Sequence, residues 1–115
     1  MKQFDVKRFV LFFLVVTGWA CQGFDEQLRY NQANRYHDEG RFAQAIEIYQ
    51  SLLASDPENK KHPNKNMVRY DLGMAYLDEG KRQKAHEQAV ILRKARRDDL
   101  ATLIEQEMVK RDMLR

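Results

Sequence analysis

The chain has almost none of the residues that mark the less ordinary protein classes. Two prolines and five glycines in 115 residues exclude collagen-like and low-complexity disordered chains. A single cysteine, Cys21, excludes an internal disulfide and with it a stapled secreted scaffold. There is no glycine-rich phosphate loop and no nucleophile motif. The three histidines, His37, His62 and His86, stand on different segments, and no pair of them has a metal-ligand spacing. His37 beside Asp38 and Glu39 makes no catalytic pair, because adjacent helical residues do not share a face. The expectation is therefore a protein that is not an enzyme, with no cofactor and no small-molecule substrate.

Long apolar runs are also scarce. The one that exists, Phe9 to Ala20, covers twelve residues and follows Lys2, Lys7 and Arg8. A spanning helix needs about 20 residues. Basic start, short apolar middle and small residues Gly18 and Ala20 are the three parts of a cleavable export signal over residues 1–20. An uncleaved anchor remains open only if Gly23 and Phe24 extend the run. The bond Ala20–Cys21 is where such a signal ends, and here the segment resembles the bacterial lipoprotein lipobox. Gly18 stands where that family usually has an aliphatic residue, and Trp19 where it has a small one. The resemblance implies lipidation of Cys21 and, since several acyl chains bind far more firmly than one, stable membrane attachment. Gln22 in place of aspartate implies, by the same resemblance, the outer membrane of a Gram-negative envelope. Without lipid the protein would be periplasmic or secreted.

Net charge is nearly absent once the first 20 residues are set aside, but it is unevenly placed. Residues 21–59 carry three basic and seven acidic residues, residues 60–97 eleven and four, and residues 98–115 three and five. Such a field can steer a charged partner, and opposed halves permit self-association. Arg93, Lys94, Arg96 and Arg97 cluster, but acids follow at once and an exported protein does not meet nucleic acid. No nucleic-acid partner is expected.

What is present is a repeat. "YNQANRYHDEGRFAQAIEIYQSLLASDPEN" and "YDLGMAYLDEGKRQKAHEQAVILRKARRDD" align without a gap at an offset of 40 residues. Tyr36 meets Tyr76, Gly40 meets Gly80, Ala45 meets Ala85 and Leu52 meets Leu92. Each copy reads as two helical patterns about a glycine turn. Leu28, Ala33 and Tyr36 form the first apolar stripe, and Phe42, Ala45, Ile46, Tyr49, Leu52 and Leu53 the second. Val68, Leu72, Gly73 and Tyr76, then Ala85, Ala89, Leu92 and Ala95, repeat the scheme. Pro57 closes the first copy, since proline cannot continue a helix.

On Ala33, Tyr36, Gly40, Ala45, Tyr49 and Pro57, and on Leu72-Gly73, Tyr76, Gly80 and Ala85, the chain resembles the tetratricopeptide repeat, whose period is about 34 residues. Ala89 stands where that family has an aromatic, Arg97 where it has proline, and Arg29 and Arg69 where it has tryptophan. The resemblance implies an all-α fold: one repeat over 26–59, a second over 66–99, and an inserted polar loop over 60–65. Asp98-Asp99 reads as a helix start, and Leu100, Leu103, Ile104, Met108 and Leu114 as one face of a capping helix over 100–115. The family lines its concave face with the first helix of each repeat. By position that face would show Gln27, Tyr30, Asn34, His37 and Asp38, then Met67, Tyr70, Met74 and Leu77, a surface for another protein of the cell envelope. The resulting expectation is an adaptor or assembly factor. The alternative is a structural subunit that stacks with itself or into a larger helical array, because two repeats fall short of the three or so that such arrays usually need.

Overall fold

The computed structural model describes residues 25–54 and 65–113; the expected signal segment over 1–20, Cys21, Pro57, most of the expected loop over 60–65 and Leu114 lie outside them. Among the described residues the chain is all helical. Helix α1 covers 25–38, and α2 covers Phe42–Leu53. Helices α3, α4 and α5 follow at Asn66–Asp78, Arg82–Lys94 and Asp98–Met113. The ends of α1 and α3, and the starts of α2 and α4, fall 40 residues apart, as the sequence offset requires.

The turns explain why the hairpins close where they do. After α1, the Gly40 N–H bonds His37 O at 3.1 Å and the Arg41 N–H bonds Tyr36 O at 2.8 Å. After α3, Gly80 bonds Leu77 O at 3.0 Å and Lys81 bonds Tyr76 O at 2.7 Å. These crossed bonds satisfy carbonyls that the helix itself leaves open, and they need a left-handed residue at the turn. Gly40 and Gly80 supply it with φ of 79° and 81°. After α4 the same pair of bonds recurs, Arg96 to Arg93 O and Arg97 to Leu92 O, but the left-handed residue is Arg96 with φ of 61°. An L-residue with a side chain is disfavoured there. Replacing Arg96 with glycine should therefore stabilise the domain by about 1 kcal/mol, read as a higher urea midpoint with unchanged slope. A lower midpoint would show that the Arg96 side chain contributes more than its backbone strain costs.

Two layers result, with α1, α3 and α5 side by side and α2 and α4 behind them. The core runs through both. Ala45 and Ala85 are fully buried and let the hairpin helices approach, and Tyr49, Leu92 and Ile104 are the largest fully buried side chains. Gly73 brings α5 against α3: a Cβ built on it would stand 2.7 Å from Ile104 Cδ1. The hairpin α3–α4 is also tied by a buried polar contact, Arg69 Nη1 donating to Gln88 Oε1 at 2.9 Å.

Five expectations change, four of them near the two ends of the described chain. Leu28, expected on the buried stripe of α1, is 52% exposed. Tyr36 is only half-buried, under Arg41, whereas Tyr76 is buried and accepts a hydrogen bond from Gln50 of α2 at 2.7 Å. The cause is the same for both: among the described residues no helix pair precedes α1, so its N-terminal side is uncovered. Leu103 is 47% exposed, and the fully buried Ala101 takes its place on the inner face of α5. That helix starts at Asp98, earlier than the repeat boundary at 99. Lys65, expected in a solvated loop, is buried, and its Nζ donates to Leu52 O at 2.7 Å. A cation there satisfies a carbonyl at the C-terminal end of α2 and complements that end's partial negative charge.

The basic middle segment is largely answered from within the chain. Arg82 pairs with Asp112 at 2.7 Å, Arg93 with Glu105 at 2.6 Å, and Arg97 with Asp99 at 3.0 Å. These pairs are exposed and each contributes little. Their effect is on the field, since the acids of α5 neutralise the cations of α4 and of the turn that follows.

Candidate partner-binding face

The face expected to bind a partner is built from α1 and α3. Two side-chain bridges join these helices, each between residues 41 apart. The Tyr30 hydroxyl donates to Asp71, and His37 Nε2 lies 2.5 Å from Asp78 Oδ2. Equal separations at both ends mean that α1 and α3 run parallel and in step with the repeat. Asp78 also takes Arg111 Nη2 of α5 at 2.6 Å, so one carboxylate links three helices. Arg111 Nε meanwhile donates to Glu107 at 3.0 Å. Asn34 Oδ1 accepts the hydroxyl of the buried Tyr49 at 2.5 Å, and the Tyr30 and Tyr49 rings meet at 6.2 Å between centroids.

Four of the nine expected face residues are thus engaged by the fold. Tyr30, Asn34 and His37 hold helices together, and Leu77 is buried. The other five stay accessible to differing degrees. Gln27 and Asp38 are exposed, Met67 is 43% exposed, and Tyr70 and Met74 are half-buried. Gln27, Tyr30 and Met67 come together in a hollow of about 260 Å³ that Glu26, Leu52, Lys65 and Val68 complete. Its lining mixes the apolar Leu52, Met67 and Val68 with the amide of Gln27, the carboxylate of Glu26 and the buried Lys65. A side chain with a polar tip fits that lining.

Electrostatics on this face centre on Asp71. Burial holds its carboxyl above the usual range; the Tyr30 hydrogen bond and His37 pull it back, and Asp38 pushes it up again. Burial together with the Asp71 contact pushes the Tyr30 hydroxyl up to about 12. The Tyr49 hydroxyl is raised by burial first and by the Asp71 charge second. Tyr70 is raised by burial, then by Asp71 and Glu107. Burial is the first cause of each rise, with the Asp71 charge adding to it at the three tyrosines, and their hydroxyls stay protonated at physiological pH.

Asp71 and Arg111 were not among the sequence candidates. A lone acid in "VRYDLGMAYL", where Arg69 is the only other charged residue, is the signal that could have found Asp71, because a carboxylate in a packed helix needs a partner. Arg111 carries no such signal. Among the described residues, no three His, Cys, Asp or Glu side chains stand close enough to share a metal ion. Among the same residues, no helix is long and apolar enough to cross a membrane. Scans against models of known protein families, against curated proteins and against solved structures each return no match.

Proposed function

We propose that the chain is an exported, tetratricopeptide-like adaptor, held at a bacterial envelope through Cys21, that binds another protein along the α1–α3 face and does no chemistry of its own. The observation that carries the reading is the shared hollow: Gln27, Tyr30 and Met67, chosen by repeat position on two different helices, line one concavity of about 260 Å³. The face is already rigid, because Tyr30–Asp71 and His37–Asp78 fix α1 to α3. A preformed surface loses little freedom on binding, so more of the contact energy appears as affinity. Methionine at Met67 and Met74 suits a surface that must adapt to its ligand.

The full chain, used as bait on solubilised envelopes, tests this. Gln27 is exposed and its amide bonds Asn31 of its own helix, and Met67 is 43% exposed, so Gln27→Lys with Met67→Lys should leave the fold intact. The pair should lower capture of the partner at least tenfold, by setting two unpaired charges into the hollow. Gln83→Lys, on the exposed side of α4, should leave capture unchanged. Equal capture by all three proteins would remove the α1–α3 face as the binding surface.

A further inference from the structure

Among the described residues, helix α5 buries one side and leaves the other, which carries Val109 and Met113, uncovered. Leu100, Ala101, Ile104 and Met108 pack into the core. On the opposite side, Thr102, Glu105, Gln106, Val109, Lys110 and Met113 form an open face whose accessible area is mainly apolar. Val109 is 55% exposed and Met113 79%. A helix that only closes a repeat array needs a polar outer side, and these two residues do not supply one.

The order of the stripe says what covers it. Thr102, Gln106, Val109 and Met113 are spaced four, three and four residues apart, the spacing of a seam between two helices packed side by side. Glu105 flanks the seam on one side and Lys110 on the other, five residues further on. When two identical helices pack in parallel about a twofold axis, a residue on one flank faces the residue five further along on the opposite flank of its mate. Glu105 of each copy then meets Lys110 of the other. In an antiparallel pair each flank faces its own kind, which would bring lysine towards lysine and glutamate towards glutamate. Arg93 already holds Glu105 through contacts of 2.6 and 2.7 Å, so the carboxylate stands fixed on the flank. Among the described residues, the helices that pack on α5, α3 and α4, lie on its buried side.

We propose that two copies of this chain pair in parallel through the outer face of α5, with Val109 and Met113 in the seam and Glu105 of each copy on Lys110 of the other. The pair is closed: it uses one face of each copy and leaves the α1–α3 face free. It differs from an open stack of copies, which would add chains without limit.

Sedimentation equilibrium of the reduced full chain in mild detergent tests the pairing, with reduction excluding a Cys21 disulfide. The expected result is a reversible dimer. Lys110→Glu replaces two attractive contacts with two repulsive ones and should weaken it about tenfold. Val109→Asp should abolish it, with far-UV circular dichroism confirming that the helices remain. The deciding step is to mix Lys110→Glu with Glu105→Lys: each variant alone is mostly monomeric, and the mixture should form a heterodimer, since both cross-contacts are then attractive. Chains gathered by a shared micelle would not respond to charge reversal. A monomer at every concentration, a dimer indifferent to Lys110→Glu, or no recovery on mixing would each overturn the proposal.

Discussion

Replacing Ile104 with alanine should cost about 3–5 kcal/mol, a large part of the stability of a domain this size. Ile104 is fully buried, and its Cδ1 fills the space that Gly73 leaves on α3. Truncated core residues cost most where the neighbours cannot collapse into the gap. Here the neighbour has no side chain at all, so the gap stays open. The same geometry makes a second, sharper prediction. A methyl group added at position 73 would press on Ile104 Cδ1 at 2.7 Å, but that atom is gone in Ile104→Ala. In the wild-type background, Gly73→Ala sets a helix-propensity gain of about 1 kcal/mol against that clash. In the Ile104→Ala background it keeps the gain and fills part of the cavity. Urea unfolding of the four proteins should give a coupling of about 1–2 kcal/mol in favour of the double variant. Additive effects would mean that α5 does not approach α3 through Gly73.

Tyr30→Phe should cost about 1–3 kcal/mol, because it leaves the half-buried Asp71 carboxylate without its hydroxyl donor. Asp71 also predicts a pH dependence with a definite sign. Its pKa is raised in the folded protein, by burial above all. A raised folded value means that the native state binds the proton more readily than the unfolded chain. The stability it contributes is present below the ordinary carboxylate range and is lost as pH rises through the folded value. Asp71→Asn keeps an acceptor for Tyr30 and removes the charge. It should therefore unfold at a higher temperature than wild type at neutral pH, with the two converging as pH falls below about 4. Tyr30→Phe removes an influence that lowers the Asp71 value, so its acid-side recovery should begin at a higher pH than in wild type. Melting curves across the acid range would show both. An Asp71→Asn protein less stable than wild type at neutral pH would show that the carboxylate is net favourable where it stands.

The hairpins were legible because their determinants are local. Gly40 and Gly80 mark turns that need left-handed backbone, and Ala45 and Ala85 mark close helix approach; each was visible twice at one offset. The turn at Arg96 has the same hydrogen bonds but no glycine to announce it. The misjudged positions depend on neighbours. Leu28 and Leu103 fit an apolar stripe by spacing, yet Leu28 lies on a side that no helix covers among the described residues and Leu103 on the outer shoulder of α5. Lys65 reads as solvent-facing in a polar segment, and only the end of α2 above it gives its ammonium a buried partner. The candidate face was half legible. Repeat position picked out Gln27, Tyr30 and Met67, which share a hollow. It could not show that Tyr30 and His37 would be drawn to carboxylates on the next repeat, since that pairing exists only once α1 and α3 lie side by side.

The proposed function rests on Cys21 holding the chain at a membrane, and the intact mass of the protein purified from its own membranes tests that most directly. A chain that starts at Cys21 and is heavier by a diacylglyceryl group and a further acyl chain is the predicted result. A chain of unmodified mass, or one that still carries Trp19, would contradict it.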